Sequence, residues 1–347
     1  MGKINQLLKS LSNDSSDVMN WSINLDDYVL KIITLDETKT VLIVGSGGKL
    51  LLVNKWTGKT VHYLKIPVDM VFFAESKSSQ KKVIIGTDKG LFAINTESFE
   101  CRHFYKENKW FEKGNWQNNY FLASNGKTLL IFDTQNEPFD LLKKDDSFTS
   151  TISAIASNGG SFLVSNYGGI REYNSAKGFD NYKNFPWQTS LLELAWSPDK
   201  KYISSGTQER NIHFWPYPFE PEADFEMSGY PGKVNQICWT DDAHFLALNC
   251  DEEVHIWSFE NGPPMNQSPQ VLRCAMGKIV KIHYKNSLLL AASQAGFILS
   301  FMPDVSSKFI NIRSVDGEIS ELCVDADEET MFIGTNEGLV SSFDIDI

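Results

Sequence analysis

Val83–Asn95 reads Val-Ile-Ile-Gly-Thr-Asp-Lys-Gly-Leu-Phe-Ala-Ile-Asn, which is an apolar segment, a tight polar turn and a second apolar segment. Met331–Val340 reads Met-Phe-Ile-Gly-Thr-Asn-Glu-Gly-Leu-Val and repeats the unit with the same apolar spacing. Two short apolar runs joined by a turn that contains glycine predict a β-hairpin. The sequence therefore predicts the same hairpin in two distant parts of the chain.

The hairpin unit recurs along the whole chain. The residue that ends its first strand recurs at intervals of 38 to 44 residues, at Gly45, Gly86, Ser124, Ser165, Gly206, Leu248, Ala292 and Gly334. Other apolar segments flank most hairpins, such as Leu191–Trp196 upstream and Lys59–Ile66 downstream. Four strands in a period of roughly 40–45 residues are typical of a β-propeller blade. We predict an all-β propeller of eight four-stranded blades, with seven blades as the alternative.

The two ends of the chain are expected to share one blade. Glu318–Ile347 supplies three strands and leaves an open sheet edge, which favours unwanted association. Residues 17–25 supply a fourth strand, because Met19, Trp21, Ile23 and Leu25 alternate with polar neighbours. We therefore predict a single propeller over residues 17–347 that an N-terminal strand closes.

An N-terminal extension precedes this strand at residues 1–16. Ile4, Leu7, Leu8 and Leu11 have the spacing of one helix face. This spacing predicts a short amphipathic helix within residues 3–12. Such a helix packs on the propeller or binds a partner or a membrane surface, and disorder is the remaining alternative.

Three segments carry a family resemblance. Ala195–Gly206 reads Ala-Trp-Ser-Pro-Asp-Lys-Lys-Tyr-Ile-Ser-Ser-Gly, Ile212–Trp215 reads Ile-His-Phe-Trp, and Val254–Trp257 reads Val-His-Ile-Trp. With these segments the chain resembles the WD40-repeat family of β-propellers. The closing Trp-Asp of the family survives only in part and its Gly-His dipeptide is absent. The resemblance implies a non-catalytic scaffold or adaptor that binds partner proteins or peptides on one propeller face.

Composition narrows the classes of partner. The 347 residues include 32 Lys and Arg against 44 Asp and Glu, for a net charge of −12. An acidic chain without a basic cluster is a poor ligand for nucleic acid. The longest apolar runs have four residues, whereas roughly 20 are needed to span a bilayer. Five scattered cysteines are typical of a reducing compartment. We expect a monomeric cytoplasmic protein that binds no nucleic acid directly and has no membrane span.

No catalytic, metal or cofactor motif is evident. The six histidines form no His-x-x-x-His pair, and no Cys-x-x-Cys occurs. Gly45–Lys49 is glycine-rich but precedes a strand rather than the helix that a phosphate loop needs. Asp251–Glu253 is expected in a turn, and His213 and His255 occupy equivalent repeat positions. We therefore expect no cofactor, no metal and no enzyme activity, the alternative being a hydrolase or small-ligand binder that uses the central channel.

Two sets of residues are candidates for partner binding. The first set contains aromatic residues where the repeat is irregular, namely Trp110, Trp116, Tyr217 and Phe219. The second set contains residues placed just before an inner strand, namely Tyr28, Thr151, Ser190, Lys233, Lys278 and Glu318. Within it, Lys233 and Lys278 predict a positive spot for an acidic or phosphorylated peptide. Inter-blade packing for the aromatic residues, and solvated turns for the lysines, are the alternatives.

Overall fold

The protein is described by a computed structural model that covers residues 19–175, 178–220, 222–273, 277–285, 288–302, 311–326 and 329–345. The predicted helix in the 1–16 extension lies outside these residues. The covered ranges contain thirty-two β-strands in eight antiparallel four-stranded sheets, and a 3-10 turn at Ser78–Gln80. They contain no helix long and apolar enough to cross a membrane.

Each sheet is one blade, in which the four strands follow one another from the inner to the outer edge. Blade 1 contains β2 (Val29–Leu35), β3 (Thr40–Gly45), β4 (Lys49–Asn54) and β5 (Thr60–Lys65). Blade 2 contains β6 (Val71–Lys77), β7 (Lys82–Thr87), β8 (Gly90–Asn95) and β9 (Cys101–Lys106). Blade 3 contains β10 (Lys113–Gln117), β11 (Tyr120–Asn125), β12 (Thr128–Asp133) and β13 (Asp140–Asp145). Blade 4 contains β14 (Ile152–Ser157), β15 (Ser161–Asn166), β16 (Gly168–Asn174) and β17 (Tyr182–Trp187).

The remaining blades follow the same order. Blade 5 contains β18 (Ala195–Trp196), β19 (Tyr202–Gly206), β20 (Ile212–Pro216) and β21 (Phe225–Met227). Blade 6 contains β22 (Val234–Trp239), β23 (Phe245–Cys250), β24 (Glu253–Ser258) and β25 (Gln270–Arg273). Blade 7 contains β26 (Ile279–Lys285), β27 (Leu288–Ser293), β28 (Phe297–Phe301) and β29 (Asn311–Ser314). Blade 8 contains β30 (Ile319–Val324), β31 (Thr330–Thr335), β32 (Leu339–Asp344) and, at its outer edge, β1 (Met19–Asn24).

This arrangement confirms the predicted eight blades and the N-terminal closing strand, and the seven-blade alternative is wrong. The chain divides into two compact units, residues 1–65 with 238–347 and residues 66–237. The first unit contains blades 1, 7 and 8 and most of blade 6, and the second contains blades 2 to 5. Within each unit the apolar clusters lie between consecutive blades, for example between blades 2 and 3 around Phe111 and Phe121.

Burial explains why the hairpins are visible in the sequence. Every residue of β3 is buried, and so are the four central residues of β4. Strands covered on both faces need continuous apolar runs, whereas β5 at the outer edge is mostly exposed and polar. The hairpin of the two middle strands is therefore the part of each blade that sequence identifies best.

Two expectations about inner and closing strands need correction. The segment Leu191–Trp196 was expected to be the clearest inner strand, but β18 contains only Ala195 and Trp196, and Leu191 forms an isolated bridge with Thr207. The chain leaves the strand between them, and the Glu193 carboxylate accepts the Ile237 amide at 3.0 Å. Met19 was expected on the buried face of β1 but is exposed, because the pairing with β32 shifts register between Met19 and Trp21.

The closing strand is anchored by a buried tryptophan. Trp21 is 7% exposed and its ring centroid lies 5.8 Å from that of Phe332. Its indole Nε1 donates a hydrogen bond of 2.8 Å to the carbonyl oxygen of Lys55. Gly58 has φ +65°, and a Cβ there would lie 2.6 Å from the indole ring. The indole therefore occupies the space beside Gly58 of blade 1, where the side chain of any other residue would collide with it.

Three ion pairs, formed by two acidic residues of blade 8, link this blade with its neighbours in the first unit. Lys55 of blade 1 pairs with Asp325, which follows β30, and both are buried. On the inner strands, Glu321 is 3% exposed and lies 2.7 Å from Lys281 Nζ and 3.4 Å from Lys31 Nζ. Removing one member of a buried pair leaves a charge without compensation, so these contacts hold the three blades in register.

Candidate interaction surface

One position of the repeat faces solvent in blade after blade. The chain enters each blade through a buried apolar anchor, and these anchors are Val29, Val71, Phe111, Ile152, Leu191, Val234, Ile279 and Ile319. We call the residue before each anchor the leading position. The leading residues are Tyr28, Met70, Trp110, Thr151, Ser190, Lys233, Lys278 and Glu318.

The leading position unites two separate sequence predictions. Six rim residues predicted from the repeat occupy it, and Trp110, predicted only as an irregular aromatic residue, occupies it in blade 3. Met70 occupies it in blade 2 and was missed. Several leading residues accept, with their carbonyl oxygen, a hydrogen bond from the turn between the second and third strands of their own blade, as in the bond of 3.1 Å from the Asp88 amide to the Met70 carbonyl. These residues are Tyr28, Met70, Ser190, Lys278 and Glu318.

The largest apolar side chains at leading positions of the second unit belong to neighbouring blades. Trp110 is 62% exposed and Met70 is 48% exposed. The half-buried ring of Phe72, two residues after Met70, lies 5.5 Å from the Trp110 ring between centroids. We call Met70, Phe72 and Trp110 the apolar patch. In the first unit, Tyr28 is a further exposed aromatic residue at the leading position.

The backbone beneath Met70 is fixed by a reciprocal set of hydrogen bonds. The Asp88 carboxylate accepts the amides of Asp69 at 3.2 Å and Met70 at 3.1 Å. The Asp88 amide in turn donates to the Met70 carbonyl. Because both polar backbone groups of Met70 are bonded, its side chain projects from a defined position.

Trp110 is held from its own anchor. Phe111 is fully buried, contacts the Tyr105 ring edge to face at 5.8 Å, and donates its amide to the Thr87 carbonyl at 3.0 Å. A buried aromatic neighbour and a backbone hydrogen bond to the preceding blade leave the Trp110 backbone little freedom. The indole is therefore presented by an ordered backbone.

Glu107 organises the loop that carries Trp110. Its carboxylate accepts hydrogen bonds from Tyr105 and Asn125, each at 3.2 Å, and lies 2.8 Å from Lys109 Nζ. Burial opposes ionisation of Glu107, but the hydrogen bond from Lys109 and the charges of Lys144 and Lys109 keep its pKa below the usual value. Glu107 is thus ionised at neutral pH and accepts hydrogen bonds from several donors. Because the loop is already ordered, it would lose little conformational entropy if a molecule bound at Trp110.

Of the two lysines at leading positions, Lys278 has its charge offset by a nearby carboxylate. Lys278 lies 3.5 Å from the Asp251 carboxylate in the neighbouring turn, which offsets its charge. Lys233 is exposed in the other unit. Thr151 and Glu318 are also exposed and Ser190 is half-buried, while Glu318 accepts hydrogen bonds from Gln294 and Asn336.

The other aromatic candidates take part in packing between blades. Trp116 is half-buried and donates its Nε1 to the Glu75 carbonyl at 3.1 Å. Tyr217 donates its hydroxyl to Glu172 at 2.8 Å, and Phe219 stacks on Phe185 with a centroid separation of 3.4 Å. These three side chains contribute to the core at blades 2 to 5, in contrast to Trp110.

The residues considered for catalysis or ligand binding are engaged in local contacts. The Gly47 amide, in the turn between β3 and β4, donates to the carboxylate of Asp27, which precedes β2. His255 lies 2.8 Å from Glu253, which also pairs with Arg273 at 2.7 Å. His213 lies 3.0 Å from Asp224. The described residues contain no group of three or more histidine, cysteine or acidic side chains placed to hold a metal ion.

Comparison with known proteins identifies the fold and no relative by sequence. No protein-family profile and no curated protein matches the chain. Among solved structures, the crystal structure of the computationally designed Ika8 protein superposes with a TM-score of 0.77 at 13% identity, covering 93% of this chain and 98% of the designed one. The fold is an eight-bladed β-propeller. At this identity the likeness concerns the fold alone.

Proposed function

We propose that this propeller is a non-catalytic interaction scaffold of the WD40 type, which binds a protein or peptide partner in the cytoplasm through the leading positions of its blades. The apolar patch is the centre of the proposed surface. The observation that carries the proposal is the 62% exposed Trp110 on a backbone held by Phe111 and Glu107.

The chemistry of the patch supports binding of an apolar side chain from a partner. Tryptophan and methionine are enriched at protein interfaces, and tryptophan is among the residues that dominate binding energy. An ordered aromatic side chain contacts a partner over a large area and loses little conformational freedom. Because Met70 and Trp110 belong to adjacent blades, one extended segment can contact both.

The proposal is tested by affinity capture with matched variants. The test variant carries Met70→Ala and Trp110→Ala, and the control variant carries Trp56→Ala. Trp56 is 56% exposed, close to Trp110, but lies in the turn between β4 and β5, at the opposite end of its blade from the leading position. Truncation of a central interface aromatic costs about 2 kcal/mol or more, so we expect affinity to fall about 30-fold or more.

The proposal is supported if a partner binds both the purified wild-type protein and the Trp56→Ala variant but does not bind the double variant. A partner that the double variant retains, or that only the Trp56→Ala variant loses, contradicts it. A broad hydrolase screen is expected to show no turnover. Turnover abolished by mutation of a channel-facing acidic residue would overturn the non-catalytic assignment.

A further inference from the structure

A groove lies between blades 4 and 5, and its chemistry differs from that of the apolar patch. It has a volume of about 430 Å³ and is bounded by Phe185 of β17, Trp215 of β20 and Phe219 of the connection between β20 and β21. Phe185 and Phe219 stack on each other, and Trp215 is buried. The groove therefore has aromatic walls that its own packing holds in place.

The remaining side chains at this groove carry negative charge. Glu220, Glu222 and Asp224 line it, and within the described part of the chain none of them pairs with a lysine or arginine. Asp224 lies 3.0 Å from Nε2 of His213, which is 1% exposed. Burial lowers the pKa of His213 to about 4 despite the nearby carboxylate, so the imidazole is neutral at pH 7. The charge of Asp224 is therefore not compensated by that histidine.

The corresponding groove between blades 2 and 3 contains cations from the chain itself. There Phe104 of β9 packs edge to face against Phe139 with a centroid separation of 4.8 Å, whereas Phe185 stacks on Phe219. Glu137 lies 2.6 Å from Arg102 and 3.1 Å from Lys82. The Lys82 ammonium also lies 4.6 Å from the centroid of the Phe139 ring. A guanidinium on a carboxylate and a cation over an aromatic ring thus complete this site.

The strand register explains the difference between the two grooves. In blade 2, Arg102 of β9 pairs with Ala93 of β8. At the equivalent position of blade 4, Lys183 of β17 pairs with Glu172 of β16. Lys183 lies 4.0 Å from Glu172 and is directed to that partner rather than to the groove carboxylates. The groove between blades 4 and 5 consequently has the aromatic and acidic groups of its counterpart without the cation.

We propose that the groove between blades 4 and 5 binds an arginine side chain of an extended partner segment. A guanidinium stacks on aromatic faces and donates to carboxylates in a planar fork, which suits Phe219 and the neighbouring acidic residues. Between blades 2 and 3 these two contacts are divided between two residues, because Arg102 pairs with Glu137 and Lys82 lies over the Phe139 ring. This site is separate from the apolar patch and stands or falls independently of it.

The probe is the peptide acetyl-Gly-Ser-Gly-Arg-Gly-Ser-Gly-amide, titrated by saturation-transfer NMR at low ionic strength. Its counterpart contains citrulline, which has nearly the same shape and no charge. We expect saturable binding of the arginine peptide and at least tenfold weaker binding of the citrulline peptide. The Glu220→Gln, Glu222→Gln variant should also bind the arginine peptide at least tenfold more weakly.

The control variant carries Glu97→Gln and Asp140→Asn, which changes net charge by the same amount at exposed sites of blades 2 and 3. We expect its affinity to stay within twofold of wild type, and that of the Met70→Ala, Trp110→Ala variant as well. Absence of saturable binding, equal binding of citrulline, or equal weakening by the control variant would overturn the proposal. A lysine peptide that binds as tightly as the arginine peptide would overturn the choice of arginine. Circular dichroism of each variant verifies that it is folded.

Discussion

Replacing Trp21 with alanine should loosen the closing strand of blade 8. The change removes a side chain that is 7% exposed, contacts Phe332, and fills the space above Gly58. Truncation of a buried tryptophan costs about 3–5 kcal/mol, and the Lys55 carbonyl also loses its indole donor. We expect the free energy for release of β1 from β32 to fall by that amount.

The local effect can be measured by hydrogen exchange with mass spectrometry. β32 lies between β31 and β1, so alternate amides of Leu339–Asp344 face β1 and are protected while β1 pairs with β32. A loss of about 3–5 kcal/mol corresponds to exchange faster by about two to three and a half orders of magnitude. A Trp21→Phe variant, which keeps a ring but loses the hydrogen bond, should cost about 1 kcal/mol.

Trp56→Ala is the matched control, because truncation of an exposed side chain usually changes stability by less than about 0.5 kcal/mol. If Trp21→Ala and Trp56→Ala accelerate exchange in Leu339–Asp344 equally, or if neither does, the indole does not anchor the strand. The same result would refute the assignment of the Lys55 hydrogen bond as part of the closure.

Three other perturbations have expected outcomes. Deletion of residues 1–25 should expose the edge of β32 and cause aggregation, visible by size-exclusion chromatography with light scattering, whereas a monomer that melts at the wild-type temperature would contradict the closure. His213 has a folded-state pKa of about 4, so the unfolded chain takes up the proton more readily and stability should fall by about 2–3 kcal/mol from pH 7 to pH 4. His213→Gln should flatten this part of the pH profile of urea midpoints, and unchanged profiles would exclude the residue as its source. Glu321→Gln should lower unfolding free energy by about 1–2 kcal/mol, because Lys31 and Lys281 are partly exposed and water screens them, and an unchanged urea midpoint would argue against a role in holding the inner strands.

The blade count was predictable because the middle strands are buried on both faces. Segments such as Thr40–Gly45 and Lys82–Thr87 therefore have continuous apolar sequences that recur at a nearly constant interval. The closing strand was predictable from alternation at Trp21, Ile23 and Leu25, although the register shift that exposes Met19 depends on its partner strand. These features depend on the spacing of apolar residues within single strands and hairpins, so they can be predicted from a single sequence.

The apolar patch was only half predictable, since the inner strand of blade 3 obscures the repeat. β10 reads Lys-Gly-Asn-Trp-Gln and has no apolar run. A Cβ at Gly114 would lie 2.4 Å from the Phe73 ring of blade 2, so that ring takes the place of a side chain in β10. Without a visible strand, no alignment could place Trp110 at the leading position, whereas Met70 directly precedes the apolar start of β6 and could have been placed there. The pair Trp110-Phe111, one exposed and one buried, was the remaining signal.

The groove between blades 4 and 5 was not predictable from sequence. The prolines, acids and aromatics of Trp215–Phe225 were visible as an irregularity. Whether their charges are compensated depends on which lysine or arginine reaches them, and that is decided by residues more than 30 positions away, as Arg102 and Glu137 show. Long-range ion pairing of this kind leaves no trace in local composition.

The pairing of β1 with β32 also determines when the propeller can close during synthesis on the ribosome. Asn20 and Asp344, which hydrogen-bond to each other at 2.7 Å, are 324 positions apart. At about 5–20 residues per second, the first strand waits roughly 16–65 s for its partner after it is made. During that interval the edge of β1 that pairs with β32 stays bare and Trp21 lacks its contact with Phe332, although the blades between the two strands can already form. Until β32 has been made, the open edge of β1 is a site at which chaperones can capture the nascent chain, and the ring cannot close.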